Sequence, residues 1–263
     1  MPKFAANISL LFTELPFLDR IAAASDAGFD AVELQFPYAV DEQRLADALT
    51  ASGLPLVLHN LPAGSWERGD RGIACHPQRV DEFRSGVDTA IRYAKALNCP
   101  RLNCLAGVRP PDVGFETARD TLIDNLRHAA EKLEREGLDL LIEPINSRDV
   151  PGFFIDRSRM ALDLMADAGC SNLKLQYDIY HAQMMEGDLA RTVETALDRI
   201  GHIQIADNPG RHEPGTGEIN FSFLLERLDA MGYEGWVGCE YVPWGSTLDG
   251  LGWMAPYRTG GPA

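Results

Sequence analysis

Positive charge is scarce in this sequence. Lys and Arg number 24 against 39 Asp and Glu, a formal net charge of −15. Such a balance repels a phosphate backbone, so a nucleic-acid partner is not expected. No run of 18 apolar residues occurs, and the longest apolar stretches have strand length, which argues against a membrane span. The opening MPKFAANISLLF holds one Lys and a short apolar patch, with Glu14 and Asp19 soon after, unlike a secretory signal. Cysteine is sparse and odd in number: Cys75, Cys99, Cys104, Cys170 and Cys239, with no CxxC pair. That excludes a disulfide framework or zinc ribbon and suits buried thiols in a reducing cytoplasm. Neither GxSxG nor HExxH is present, and the GTG of residues 215–217 lacks the strand and the Lys-Ser/Thr pair of a phosphate loop.

What is there is an ordinary globular composition, 45% apolar and 24% charged, in a chain of 263 residues. That length buries a full core without a metal or disulfide staple. Short apolar runs alternate with amphipathic ones throughout. Strands are predicted over 4–10, 31–36, 55–60, 101–105, 138–143, 173–178, 200–206 and 236–240. Helices are predicted over 17–27, 41–52, 79–97, 115–135, 158–168, 188–198, 221–231 and, short, 247–257, with Ser158 or Asp156 as the cap of the fifth. A Gly/Pro-rich loop covers 61–78, and residues 258–263 read as a frayed tail. Eight βα units in about 250 residues specify parallel strands closed into a (β/α)8 TIM barrel. No linker divides the chain, so residues 1–263 read as a single domain. An open doubly wound sheet would carry a glycine-rich turn after the first strand, where this chain has Asn7-Ile8-Ser9-Leu10.

Active sites of such barrels lie at the C-terminal ends of the strands. Here those ends carry Asn7, Glu33 with Gln35, His59-Asn60, Asn103, Glu143, Asp178, Gln204 and Glu240. Three carboxylates converging on a low-dielectric rim repel one another unless a cation or protons offset the charge. Glu143, Asp178, Glu240 and the amide oxygen of Gln204 are hard oxygen donors, a set suited to Mg²⁺ or Mn²⁺ and not to zinc. Two carboxylates across a metal suit proton transfer next to a carbonyl through an enediolate: aldose–ketose isomerisation, or epimerisation if the proton returns to the same carbon. Spacing alone leaves those two outcomes open.

The segments FAANISLLFTE (4–14), LHNLPAGSWERGDRGIAC (58–75), LLIEPIN (140–146), LQYDIYHAQMMEG (175–187), HIQIADNPGRHEPGTGEIN (202–220) and GWVGCEY (235–241) span nearly the whole chain. On these motifs the sequence resembles the hydroxypyruvate isomerase family of the xylose-isomerase-like barrels. The resemblance implies interconversion of hydroxypyruvate and 2-hydroxy-3-oxopropanoate, with Glu143 and Glu240 as the acid/base pair and Glu143, Asp178, Gln204 and Glu240 as the metal shell. Related sugar epimerases commonly have His where this chain has Gln204. An amide oxygen favours Mg²⁺ over Mn²⁺ and weakens the expected metal affinity. A related branch acts on the four-carbon 2-oxo-tetronate, and the 58–75 loop looks more like the hydroxypyruvate branch. No nucleotide or organic cofactor is implied.

An anionic substrate needs a cation, and Arg211, in the loop after the seventh strand, offers a bidentate fork. The resemblance also implies that His181, three residues after Asp178, contacts substrate. His59 reads equally as a substrate contact or as a packed histidine. Glu33 reads either as a buried acid behind the site or as an anchor for the first loop, and stands outside the catalytic set. Trp66, Trp244 and Trp253 lie near the rim, where packing is the simpler reading. A small 2-oxo or hydroxy acid is the expected partner, with no membrane and no nucleic acid; homo-oligomerisation is left open. Two other functions fit the sequence less well. A nuclease of the same superfamily needs several His ligands and a basic face, against six scattered His and −15 here. A non-catalytic sugar-acid sensor would not need both Glu143 and Glu240.

Overall fold

A computed structural model of the chain describes residues 1–257; the tail expected to fray, 258–263, lies outside the described residues. Its elements follow the order β1 (Lys3–Asn7), α1 (Asp19–Asp26), β2 (Ala31–Glu33), α2 (Glu42–Ser52), β3 (His59–Asn60), α3 (Val80–Ala96), β4 (Arg101–Cys104), α4 (Phe115–Arg135), β5 (Asp139–Ile142), α5 (Ser158–Ala168), β6 (Leu173–Asp178), α6 (Ile179–Met185), α7 (Leu189–Ala196), β7 (Ile200–Ile205), α8 (Phe221–Ala230) and β8 (Trp236–Cys239), ending in a 3₁₀ helix over Leu248–Tyr257. All eight strands are parallel, in the order β2-β1-β8-β7-β6-β5-β4-β3. The two ends of that order are joined by backbone bonds from the 55–60 run. Val32 donates to Pro55, Val57 to Val32, Leu34 to Leu58 and Asn60 to Gln35, at 2.9 to 3.1 Å. The barrel expected from the repeated βα units is the fold found.

Period-two alternation decides what faces where. Along β1, Phe4 and Ala6 join the large apolar cluster packed under the helices, while Ala5 belongs to a smaller cluster with Ala31 and Leu141. Two residues on from these three come Asn7, Glu33 and Glu143, and each is buried. On β6 to β8 the outward set is Leu175, Tyr177, Ile203, Ile205, Val237 and Cys239, again in the large cluster. Their alternates are Gln176, Asp178, His202, Gln204, Gly238 and Glu240. A polar column therefore runs up the inside of the barrel, and an apolar sleeve surrounds it.

The helices carry the expected stripe. In α3, Phe83, Val87, Ala90 and Ala94 are buried, with Asp81 and Glu82 in the first turn and Lys95 in the last. Asp41 caps α2 by accepting from the N–H groups of Gln43 and Arg44, and Gly53 ends it at φ +73°. The cap expected for α5 is corrected. Arg157 occupies that position without a side-chain bond, and both the N–H and the Oγ of Ser158 donate to Glu186 Oε1 at 2.8 Å. Helix α6 lies outside the helices predicted from the sequence, because seven residues are too few for a periodic pattern. All five cysteines are free, and only Cys170 is not buried. Among the described residues no helix is long and apolar enough to cross a membrane.

Candidate active site

Glu143 follows β5 and Glu240 follows β8, so both enter the mouth of the barrel from strand ends. They are buried, 4% and 5% exposed, as is Asp178 at 2%. Each Glu is held by amides from neighbouring strands. Asn103 Nδ2 donates to Glu143 Oε2 at 2.7 Å and lies 3.2 Å from Asn60 Oδ1. Asn7 Nδ2 and Gln35 Nε2 donate to Glu240 Oε1 at 3.1 and 3.0 Å. Asp178 caps α6 through Oδ1, which accepts from the Tyr180 N–H at 2.8 Å. Its Oδ2 has no hydrogen-bond partner among the described residues and faces Arg211 at 3.7 Å and His181 at 3.5 Å.

Arg211 reaches the site from the loop after β7, and Asp207 shapes that loop. Fully buried, Asp207 accepts from four backbone N–H groups: Asn208 and Ile219 on Oδ1, Gly215 and Gly217 on Oδ2, at 2.8 to 3.1 Å. At Gly217 a Cβ would lie 2.2 Å from the Asn208 carbonyl oxygen, so only glycine fits. The guanidinium then bonds Glu240 Oε2 at 2.8 Å and stacks on Tyr180, 5.3 Å from the ring centroid.

His181 Nδ1 pairs with Asn146 Nδ2 at 2.7 Å. Asn146 cannot turn its oxygen there, because that oxygen already accepts from the N–H groups of Arg148 and Asp149. His181 Nδ1 is therefore the acceptor, and the ring carries its proton on Nε2, toward Asp178. Asp149 ties the group together, accepting from Asn146 and from Tyr180 Oη. Ligand atoms of Glu143, Asp178 and His181 lie within 4.8 Å of one another. Gln204, from β7, instead donates to Glu33 at 2.8 Å and accepts from Gln176 at 2.6 Å.

Of the sequence-predicted residues, Glu143, Asp178, His181, Arg211 and Glu240 converge on one mouth, whereas Gln204 is turned to Glu33 and Gln176. His59 is not brought to them. Its neighbour Asn60 takes the inward position, and His59 packs against Tyr38 with its Nδ1 3.1 Å from the Asn60 carbonyl oxygen. Trp253 packs on Phe4, but Trp66 and Trp244 are 46% and 70% exposed. Sequence reasoning missed Asn146, Asp149 and Tyr180. For Asn146 and Tyr180 the signal lay in LLIEPIN and LQYDIYH, with a polar group three and two residues past the rim carboxylate; Asp149 lies outside both motifs.

The electrostatics follow from burial. Glu143 is pushed well above the carboxylate range by burial, then by repulsion from Glu240 and Asp178. Burial also raises Asp178, against the pull of Arg211, and lifts Glu240 to about 7, again opposed by Arg211. His181 is driven well below its ordinary value by burial and Arg211, and burial takes His59 down to about 4. Three carboxyls thus face a single guanidinium. The unpartnered Asp178 Oδ2 and this set of hard oxygens fit a divalent cation.

A sequence profile described as "Xylose isomerase-like TIM barrel" matches residues 21–257. Hydroxypyruvate isomerase of Escherichia coli (strain K12) is 53% identical over 258 residues, covering 98% of this chain and 100% of that one. A 2-oxo-tetronate isomerase of Cupriavidus necator is 44% identical, covering 98% and 99%. Among solved structures, an AP endonuclease, family 2, from Brucella melitensis superposes with a TM-score of 0.96 at 45% identity, covering 98% and 100%. A 3-keto-D-glucoside 4-epimerase from E. coli shares the fold, with a TM-score of 0.80 at 21% identity and 97% and 98% coverage.

Proposed function

The chain belongs to the xylose isomerase-like TIM barrel family and is an isomerase, an intramolecular oxidoreductase, and from that premise we propose that it interconverts hydroxypyruvate and 2-hydroxy-3-oxopropanoate. The observation that carries this reading is the pair Glu143 and Glu240, buried at one mouth with raised pKa values beside a guanidinium. Burial lifts both carboxyls above the ordinary carboxylate range, Glu240 to about 7, which suits them to hold and pass a proton, and the cation suits a substrate carboxylate.

Arg211 takes the substrate carboxylate, and the Nε2–H of His181 donates to a substrate oxygen. One glutamate removes a proton from C3 of hydroxypyruvate, breaking that C–H bond and leaving an enediolate. The other delivers a proton to C2, while the C3 hydroxyl proton passes to the C2 oxygen. Atoms and electrons balance, since substrate and product are isomers. Asn103 holds Glu143 in place, and Asn7 with Gln35 holds Glu240. Glu143, Asp178 and Glu240 would hold a divalent cation, joined by the amide oxygen of Gln204 once it leaves Gln176 Nε2, with Mg²⁺ in preference to Mn²⁺; when bound, it polarises the carbonyl and the adjacent hydroxyl. We place the enzyme in the cytoplasm, in keeping with its free cysteines. The whole chain acts as one barrel domain.

The match to 2-oxo-tetronate isomerases supports a second reading, a four-carbon 2-oxo acid in the same site. The nuclease reading raised by the Brucella relative has the net charge of −15 against it. Turnover of hydroxypyruvate and of 2-oxo-tetronate, run in parallel in deuterated water, tests all of this. Isomerisation of the three-carbon acid with deuterium appearing at C2 is the expected result. Absence of turnover on both acids would overturn the proposal.

A further inference from the structure

One buried carboxylate is not used by the chemistry above. Glu33, on β2, is fully buried, and three donors converge on it. Asn7 Nδ2 and Gln204 Nε2 bond Oε1 at 2.9 and 2.8 Å, and His202 Nε2 bonds Oε2 at 2.6 Å. Strand β8 leaves room for it: a Cβ on Gly238 would sit 2.2 Å from Glu33 Oε2 and 2.6 Å from Oε1. Gly238 and Glu240 share the inward face of β8, so the Glu33 carboxylate lies one layer below Glu240.

We propose that Glu33 is a positioning residue for the reaction, deciding which end of two amides faces the site. This rests on the reading of Glu240 as an acid/base group and of Gln204 as a cation ligand. A carboxylate oxygen accepts, so Asn7 and Gln204 must each turn a nitrogen to Glu33. The same Asn7 nitrogen reaches Glu240 Oε1, while Asn7 Oδ1 accepts from the Ser9 N–H at 3.1 Å. Gln204 keeps its oxygen for other partners: here it accepts from Gln176 Nε2 at 2.6 Å, and it is the atom a cation would take. His202 supplies the donor for the remaining Glu33 oxygen, its Nδ1 having no partner among the described residues. Glu33 thus acts on the chemistry through its neighbours without touching substrate.

A space-filling role and a positioning role rank substitutions in opposite order. Glu33→Gln keeps the volume but must offer an N–H, which sets donor against donor at one of three bonds. Glu33→Asp keeps the acceptor and loses a methylene. The experiment uses the full chain and measures hydroxypyruvate kinetics together with Mn²⁺ affinity by titration calorimetry. For Glu33→Gln, kcat falls about 10- to 100-fold and Mn²⁺ binding weakens by a similar factor, with KM within about threefold of wild type. Glu33→Asp loses less in both. A Glu33→Gln protein within about twofold of wild type in both measurements, or one that outperforms Glu33→Asp, overturns the proposal. If Glu33→Gln does not fold, Glu33→Asp alone must show weaker Mn²⁺ binding and lower kcat at unchanged KM; wild-type values overturn it. Failure of the underlying reading is seen separately, as wild-type protein that neither binds Mn²⁺ nor turns over hydroxypyruvate.

Discussion

Arg211 Nη2 lies 2.8 Å from Glu240 Oε2, so the residue suited to hold the substrate carboxylate also holds one of the two proposed acid/base groups. Arrival of an anion therefore draws the guanidinium between two acceptors. Arg211→Lys keeps the charge and loses the fork, and KM for hydroxypyruvate is expected to rise about tenfold or more with the fold retained. Steady-state kinetics beside a circular dichroism melt check this, and an unchanged KM would remove Arg211 from substrate binding.

Glu143→Gln and Glu240→Gln preserve shape and remove a transferable proton. Each is expected to lower kcat by about 10² to 10⁴ with little change in melting temperature. Near-wild-type turnover in either variant sinks the two-carboxylate mechanism.

Chelation tests the cation on its own. Dialysis against EDTA is expected to abolish turnover and Mg²⁺ to restore it, with Mn²⁺ as a substitute. Full rates after thorough chelation would leave the isomerase assignment standing and take the metal out of the mechanism.

The raised carboxyls make the metal-free protein sensitive to pH. Glu240 sits at about 7 in the fold, against an ordinary 4.5 when unfolded. Below 4.5 both states are protonated and stability is at its full value. Between 4.5 and 7 the unfolded chain releases a proton that the folded one keeps, so stability falls as pH rises through this window. The loss from Glu240 alone is about 3 kcal/mol. Thermal melts of metal-free protein from pH 5 to 8 should decline, and Mg²⁺ should reverse the decline at pH 8. A metal-free melting temperature that climbs across this range contradicts the assignment.

Asp207→Ala removes the acceptor for four backbone N–H groups. It is expected to destabilise the protein on the order of 3 kcal/mol and to lower kcat/KM, because Arg211 loses its platform. Denaturant unfolding together with kinetics checks both effects; a stable variant with normal KM would show that the loop holds itself.

The barrel was legible because its signals are local. Apolar runs of strand length, alternating with stripes such as Phe83, Val87, Ala90 and Ala94, report fold class without any knowledge of contacts. The rim was legible for the same reason, since Glu143 and Glu240 each end an apolar run and a strand end is where a barrel puts its chemistry. His59 shows the limit of that reading. Two adjacent polar residues end β3, and only the pairing of Asn60 with Asn103 reveals which of them faces inward. Helix α6 and the Asn146–His181 contact were hidden for a related reason: one is too short for periodicity, and the other joins residues 35 apart.

The amino-acid order by itself therefore determined the strand–helix alternation, the polar residues closing each strand and the excess of negative charge, because all of these are properties of neighbours along a chain. Only the folded barrel decided that Arg211 pairs with Glu240, that Asn146 sets the tautomer of His181, and that Glu33 fills the space Gly238 leaves open. Those relations depend on strands remote in sequence being stacked at one level around an axis, and on burial that lifts the pKa of ordinary acids.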